Sequence, residues 1–135
     1  MDTAEFHPGG YLTFRLAGRE FAIEAARVLG IVPMHDVEPA EPAQGDPPWL
    51  MGRGVIRRRA FQVLDLARWL GLARRAKRRD AYIVVIDGPR TFGFPVDALS
   101  DVIQARRRDY TRGKLRIGRP RRVLDADCLF LKSSP

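Results

Sequence analysis

Apolar and polar residues alternate along the first third of the chain. Leu12, Phe14 and Leu16 are separated by Thr13 and Arg15, Ala17-Gly18-Arg19 interrupts, and Phe21 and Ile23 are separated by polar or small residues. A period of two puts alternate side chains on one face of a strand, so this stretch predicts a β-hairpin with one buried face. Val28, Leu29, Ile31 and Val32 form a further apolar piece. Pro33 to Pro48 then holds five prolines and four acids, and because proline cannot donate to a strand ladder, it reads as a loop. Val55-Ile56 and Ala60 to Leu64 predict a second strand pair with Arg57-Arg58-Arg59 at the bend. Asp65 suits the cap of a short helix in which Leu66, Trp69 and Leu70 share a face, and Gly71 suits its end. A basic loop, Arg74 to Arg79, closes this half.

The second half opens on Ala81 to Ile86, an almost unbroken apolar strand, followed by the turn Asp87-Gly88-Pro89-Arg90 and a strand from Thr91 to Val96. After Val102 and Ile103 comes a basic loop, then strands at Lys114 to Ile117 and Arg122 to Leu124 about the turn Gly118-Arg119-Pro120. A short terminal helix capped by Asp125 follows, with a fraying tail. The halves resemble each other. Arg19-Glu20-Phe21-Ala22-Ile23 falls on Arg90-Thr91-Phe92-Gly93-Phe94 at an offset of 71, as do Val28, Ile31 and Val32 on Leu99, Val102 and Ile103. Val63-Leu64-Asp65-Leu66 falls on Val123-Leu124-Asp125-Ala126 at an offset of 60. Two similar small barrels packed together would give this pattern, since neither half has enough strands to bury its apolar face alone.

At 135 residues and 45% hydrophobic, the chain can form one compact domain or two very small barrels sharing a core. Met1 to Glu5 lacks a basic region leading into an apolar one, and apolar runs are strand-sized, so neither a signal peptide nor a membrane span is expected. Cys128 lies in an apolar run, where a small buried side chain fits, and a reducing cytoplasm is the expected location. Lys and Arg outnumber acids 24 to 16, giving a net charge of +8 that would draw in acidic partners. One candidate function is therefore a basic β-barrel that binds nucleic acid through its phosphates. Against it, Phe14, Phe21, Phe92 and Phe94 sit at core-facing strand positions, leaving few rings for base stacking.

Groups that could converge on a reaction are scarce, so no catalytic residue, metal ligand or cofactor is expected. His7 stands beside Pro8 in an N-terminal overhang and His35 stands in the proline-rich segment; neither has the spacing of a metal site. Asp65 and Asp125 occupy strand-to-helix junctions, where capping explains them. Gly9-Gly10 and Gly52-Arg53-Gly54 lack the following helix of a phosphate cradle and fit tight backbone geometry instead.

Tyr11-Leu12-Thr13-Phe14-Arg15-Leu16 with Gly18 and Phe21-Ala22-Ile23, Gly52 followed by Val63-Leu64-Asp65-Leu66, and Gly93-Phe94-Pro95-Val96-Asp97 with Asp101-Val102 together resemble the CheW-like domain family. The resemblance implies a mostly β fold, two SH3-like five-stranded barrels around a shared hydrophobic core with short helices. It places one domain over 8–131, with half-barrels near 8–72 and 80–131 and flexible termini at 1–7 and 132–135. It also implies a non-enzymatic, cytoplasmic adaptor of chemotaxis-type signalling, whose partners are a CheA-type histidine kinase regulatory domain and a methyl-accepting chemoreceptor, with nucleic acid and small molecules not among them. Carried over position by position, the protein-binding residues are Val28, Gly52, Arg57, Gly93 and Gly113, with Arg58 a divergent neighbour. Val28 and the glycines also have a reading as packing and turn residues. Arg57 does not, since a charge at a hairpin bend adds little to a core while its forked donors suit a partner carboxylate. Where the family usually carries Asn-Leu-Arg-Gly, this chain has Val55-Ile56-Arg57-Arg58, Gln62 replaces a common proline, and Gln104 to Arg112 is shorter than the family's loop. An arginine in a left-handed turn costs on the order of 1 kcal/mol, so this bend is expected to take another shape.

Overall fold

The computed structural model describes residues 5–72 and 81–129. Its strands are β1 (Gly9–Leu16), β2 (Arg19–Glu24), β3 (Val28–Pro33), β4 (Glu38–Pro39), β5 (Leu50–Ile56), β6 (Arg59–Leu64), β7 (Tyr82–Asp87), β8 (Thr91–Val96), β9 (Ala98–Ala105), β10 (Tyr110–Thr111), β11 (Lys114–Arg116) and β12 (Pro120–Leu124), with a short helix α1 (Leu66–Trp69) after β6. They form two mixed sheets, one in the order β10-β11-β12-β2-β1-β9 (sheet A) and the other β3-β7-β8-β6-β5-β4 (sheet B). Each has six strands rather than the expected five, because the two-residue pieces β4 and β10 extend one edge of each.

Replacing each strand by its counterpart six places along the chain converts one sheet order into the other, so the internal repeat is real in three dimensions. Its register agrees to the residue. In the parallel pair of sheet A, Phe21 lies opposite Arg122, and in that of sheet B, Phe92 lies opposite Gln62, which are the same pair under the offsets of 71 and 60. The register slips at corresponding points too, between Val28 and Gly30 where β3 joins β7, and between Leu12 and Phe14 where β1 meets β9. At the second slip the buried Thr13 hydroxyl donates to the Asp101 carbonyl at 2.8 Å and accepts from its N–H at 3.0 Å, supplying bonds that the interrupted ladder lacks.

The sheets do not coincide with the halves at 8–72 and 80–131. Sheet A joins β1 and β2 to β9–β12, and sheet B joins β3–β6 to β7 and β8, so each half contributes to both. Two short crossovers cause the exchange. After β2 a 3₁₀ turn, Ala25–Arg27, delivers β3 to β7, where Arg27 Nε donates to the Asp87 carbonyl at 2.8 Å. After β8, Asp97 delivers β9 to β1, its N–H donating to the Arg15 carbonyl and its Oδ2 accepting from the Ala17 N–H at 2.8 Å.

This arrangement makes three hydrophobic clusters. Phe14, Phe21 and Ile23 of sheet A meet Leu64, Val84, Ile86, Phe92 and Phe94 of sheet B in a shared core. Tyr11, Ala22, Leu115 and Val123 fill the other side of sheet A, and Phe61, Val63, Ile83 and Val85 the other side of sheet B. The first hairpin is therefore not buried on one face only: Phe21, Ala22 and Ile23 are all buried, alternating between two cores. The same two-sided burial makes β7 a continuous apolar run, as expected for a strand covered on both faces.

Four further expectations change. Phe6, placed in a flexible overhang, is buried and stacks on Tyr11 and Tyr110 at centroid distances of 5.8 and 5.2 Å. The proline-rich segment supplies the edge strand β4 and the buried Val37, with Pro39 at an edge where its missing donor does no harm. The strand β5 starts at Leu50, well before Val55; Gly52 and Gly54 hid its pattern, and Gly54 is needed because a Cβ there would meet the Phe61 ring at 2.6 Å. Cys128 is exposed, since the turn after β12 carries it outward, with its thiol 3.5 Å from Asp125 Oδ2. Asp65 caps α1 as expected, Oδ1 accepting from Arg68 N–H at 3.2 Å, and Gly71 closes it at φ 73° with Leu72 N–H donating to the Ala67 carbonyl. Asp125 Oδ1 accepts from Asp127 N–H at 2.9 Å, but through Leu129 the expected terminal helix is a single turn. The basic run at 74–79 and the tail at 132–135 lie outside the described residues.

Candidate functional site

The β5–β6 hairpin closes through two residues, with Ile56 opposite Arg59. Arg57 and Arg58 both have positive φ, 49° and 65°, the conformation of a primed two-residue turn. The bend thus keeps the shape that glycine and asparagine normally provide, contrary to the expectation of another shape. The register explains why: Phe61 and Val63 are held in the core of sheet B and Ile56 packs against Gly30, so the strands must join in two residues whose twist only a primed turn matches. Arg59, the third arginine, ties the tip down, its Nη2 donating to Thr91 Oγ1 at 2.6 Å and lying 3.3 Å from Asp87 Oδ1. Arg57 and Arg58 remain exposed and make no ion pair among the described residues.

The other candidates are not brought to this tip. Gly52 and Gly93 flank Val63 in one row across β5, β6 and β8. Both are buried; a Cβ on Gly52 would meet Val37 Cγ1 at 2.7 Å, and one on Gly93 would meet Ile83 Cγ2 at 2.7 Å. Gly113 is buried in the β10–β11 turn at φ 79°, its carbonyl accepting from Val123 N–H at 2.9 Å. Val28 packs partly buried against the shared core. Of the six, Arg57 and Arg58 are exposed, Val28 is partly buried and the three glycines are buried.

Other features escaped the sequence reading. An open groove of about 660 Å³ runs between Pro39, Glu41, Pro42, Trp49 and Arg68, with the Arg68 guanidinium 5.0 Å over the Trp49 ring. Its residues come from three segments, and one of these, Pro39 to Pro42, reads only as a loop. Ile31 and Val102, counterparts under the repeat, are 39% and 57% exposed on the edge strands β3 and β9. The repeat itself carried that signal, since it aligned two apolar residues at strand edges.

Electrostatics near the N-terminus are ordered as well. His7 Nδ1 lies 2.9 Å from Glu24 Oε1 and Nε2 lies 3.5 Å from Glu5 Oε2; the hydrogen bond and charge of Glu24 raise its pKa above the usual 6.5. Asp127 is held below the ordinary carboxylate range by the Arg27 guanidinium that donates to it. Among the described residues, no group of three or more His, Cys, Asp or Glu could hold a metal ion, and no helix is long and apolar enough to cross a membrane.

The geometry is that of a rigid double sheet with charged and apolar positions at its edges. A family model, the CheW-like domain, matches residues 10–126. Among solved structures the chain is similar to the scaffolding protein TtCheW from Thermoanaerobacter tengcongensis, with a TM-score of 0.78 at 20% identity, over 93% of this chain and 94% of that one. At that identity the likeness speaks for the fold. No curated protein matches the chain.

Proposed function

The chain belongs to the CheW-like domain family, and we propose that it is a non-enzymatic cytoplasmic scaffold of chemotaxis-type signalling, coupling a CheA-type histidine kinase regulatory domain to a chemoreceptor. We read each sheet as the SH3-like barrel of that fold and the region from 8 to 131 as one domain. The structural relative is named a scaffolding protein, which supports the reading. The observation that carries it is the β5–β6 tip: Arg57 and Arg58 stand exposed in a strained turn, anchored from below by Arg59. Strain retained at a surface turn is compatible with a binding role, and two unpaired guanidinium groups fit carboxylates of a partner. Val28, Gly52, Gly93 and Gly113 then act indirectly, by holding the strands that carry the binding edges.

Isothermal titration of the full chain against the kinase regulatory domain and the receptor tip from the same organism tests this. Binding with Kd on the order of 10 μM or tighter is expected, weakened about tenfold in Arg57→Ala/Arg58→Ala with no fall in melting temperature. Absence of binding to both partners overturns the reading.

A further inference from the structure

Among the described residues, the positive charge is not paired evenly over the two sheets. Around sheet B many arginines are engaged: Arg27 with Asp127, Arg53 with Asp46, Arg59 with Asp87 and Arg68 with the Trp49 ring. The β10–β12 end of sheet A differs. Lys114 and Arg122 lie directly opposite each other, an arrangement that like charges disfavour, and Arg116 is two residues from Lys114 on the same face. All three are exposed and make no ion pair among the described residues. Arg112 in the β10–β11 turn and Arg107 and Arg108 in the 3₁₀ turn before β10 add three exposed cations at the same end. The nearest acids are two: Asp109, in the same 3₁₀ turn, accepts from the Arg106 N–H, and Glu20 lies within 3.8 Å of Arg15, Arg119 and Arg121.

We propose that this end of sheet A is a docking surface for the phosphate backbone of a nucleic acid duplex, a function separate from the scaffold role. Folded protein surfaces mix both signs of charge, whereas six exposed cations with a single carboxylate, Asp109, among them match a polymer of uniform negative charge. Five of the six are arginines, whose planar donors suit phosphate oxygens. Phe14, Phe21, Phe92 and Phe94 are buried and Tyr110, the ring nearest the patch, is stacked on Phe6, so binding is carried by phosphate contacts, is independent of sequence and favours duplex over single strands.

Fluorescence anisotropy with a labelled 20-base-pair DNA duplex, read across salt concentrations, tests the proposal. Six phosphate contacts give a slope of log K against log salt near about −5, so affinity falls roughly a thousandfold between 50 and 200 mM salt. The variant Lys114→Gln/Arg116→Gln/Arg122→Gln, all surface changes that leave the melting temperature in place, reduces the slope to about −3. A control, Arg90→Glu/Ala60→Glu, removes the same three units of charge from exposed positions of sheet B and leaves the slope unchanged. No binding at 50 mM salt overturns the proposal. So does equal weakening by both variants, which would make net charge the cause, and so does poly-L-glutamate competing as well as unlabelled duplex at equal charge, which would assign the surface to acidic protein.

Discussion

Arg57 and Arg58 show how a single position can oppose its own preference. Each holds a left-handed conformation that costs about 1 kcal/mol or more without glycine, and the register of sheet B enforces it. Replacing the pair by Asn-Gly relieves the strain, so we expect R57N/R58G to raise stability by about 1–2 kcal/mol and the melting temperature by roughly 3–6 °C in calorimetry, while weakening partner binding in the same titration that tests the scaffold role. Gly93→Ala should do the reverse: the added Cβ meets Ile83 Cγ2 at 2.7 Å and the Val84 carbonyl at 3.3 Å, and chemical denaturation should show a loss of about 1–3 kcal/mol. The arginine pair was legible as a candidate because charge at a bend has no core role. The burial of Gly52, Gly93 and Gly113 was not legible, because a glycine required by a neighbouring side chain and one required by a ligand look the same along the chain.

Among the elements, the N-terminal arm departs most from its sequence. One aromatic among polar residues gives no period, so only the fold reveals that Phe6 completes the core of sheet A between Tyr11 and Tyr110. Truncation by Phe6→Ala should cost about 2–4 kcal/mol in denaturant unfolding. Beside it, His7 faces Glu24 and Glu5, with Asp125 nearby, and its pKa is raised above 6.5 in the folded state. A raised folded value means that the charged clamp contributes fully below the unfolded pKa and is lost as pH rises through the folded one. Amides near residues 6–11 should therefore exchange faster at pH 8 than at pH 6, after correction for intrinsic rates, and Glu24→Gln should abolish the difference. Strands with clean alternation or two-sided burial, such as β1 and β7, were readable from their residues. By contrast β9 was seen only as Leu99, Val102 and Ile103 of the repeat, because an edge strand that is mostly exposed shows no clean alternation.

For the whole molecule, the repeat foretold two alike sheets but not their exchange of strands, since offsets of 71 and 60 record which strands correspond and say nothing about which ones pair. Topology decides a simple experiment. Fragments 1–72 and 81–135 should each lack native circular dichroism, because the hairpin of β1 and β2 finds its outer partners, β9 and β12, only in the second half, and mixing them should restore the signal. Independent folding of either fragment would contradict the pairing. The crossovers at Ala25–Arg27 and Asp97 carry a mechanical consequence. With the chain laced twice between the sheets and a close-packed core filling the gap, the described residues offer no soft joint about which one sheet could swing. In the proposed scaffold role, a partner gripping one rim would be held at a set distance and angle from one gripping the other, as by a gauge block that passes on orientation rather than changing shape.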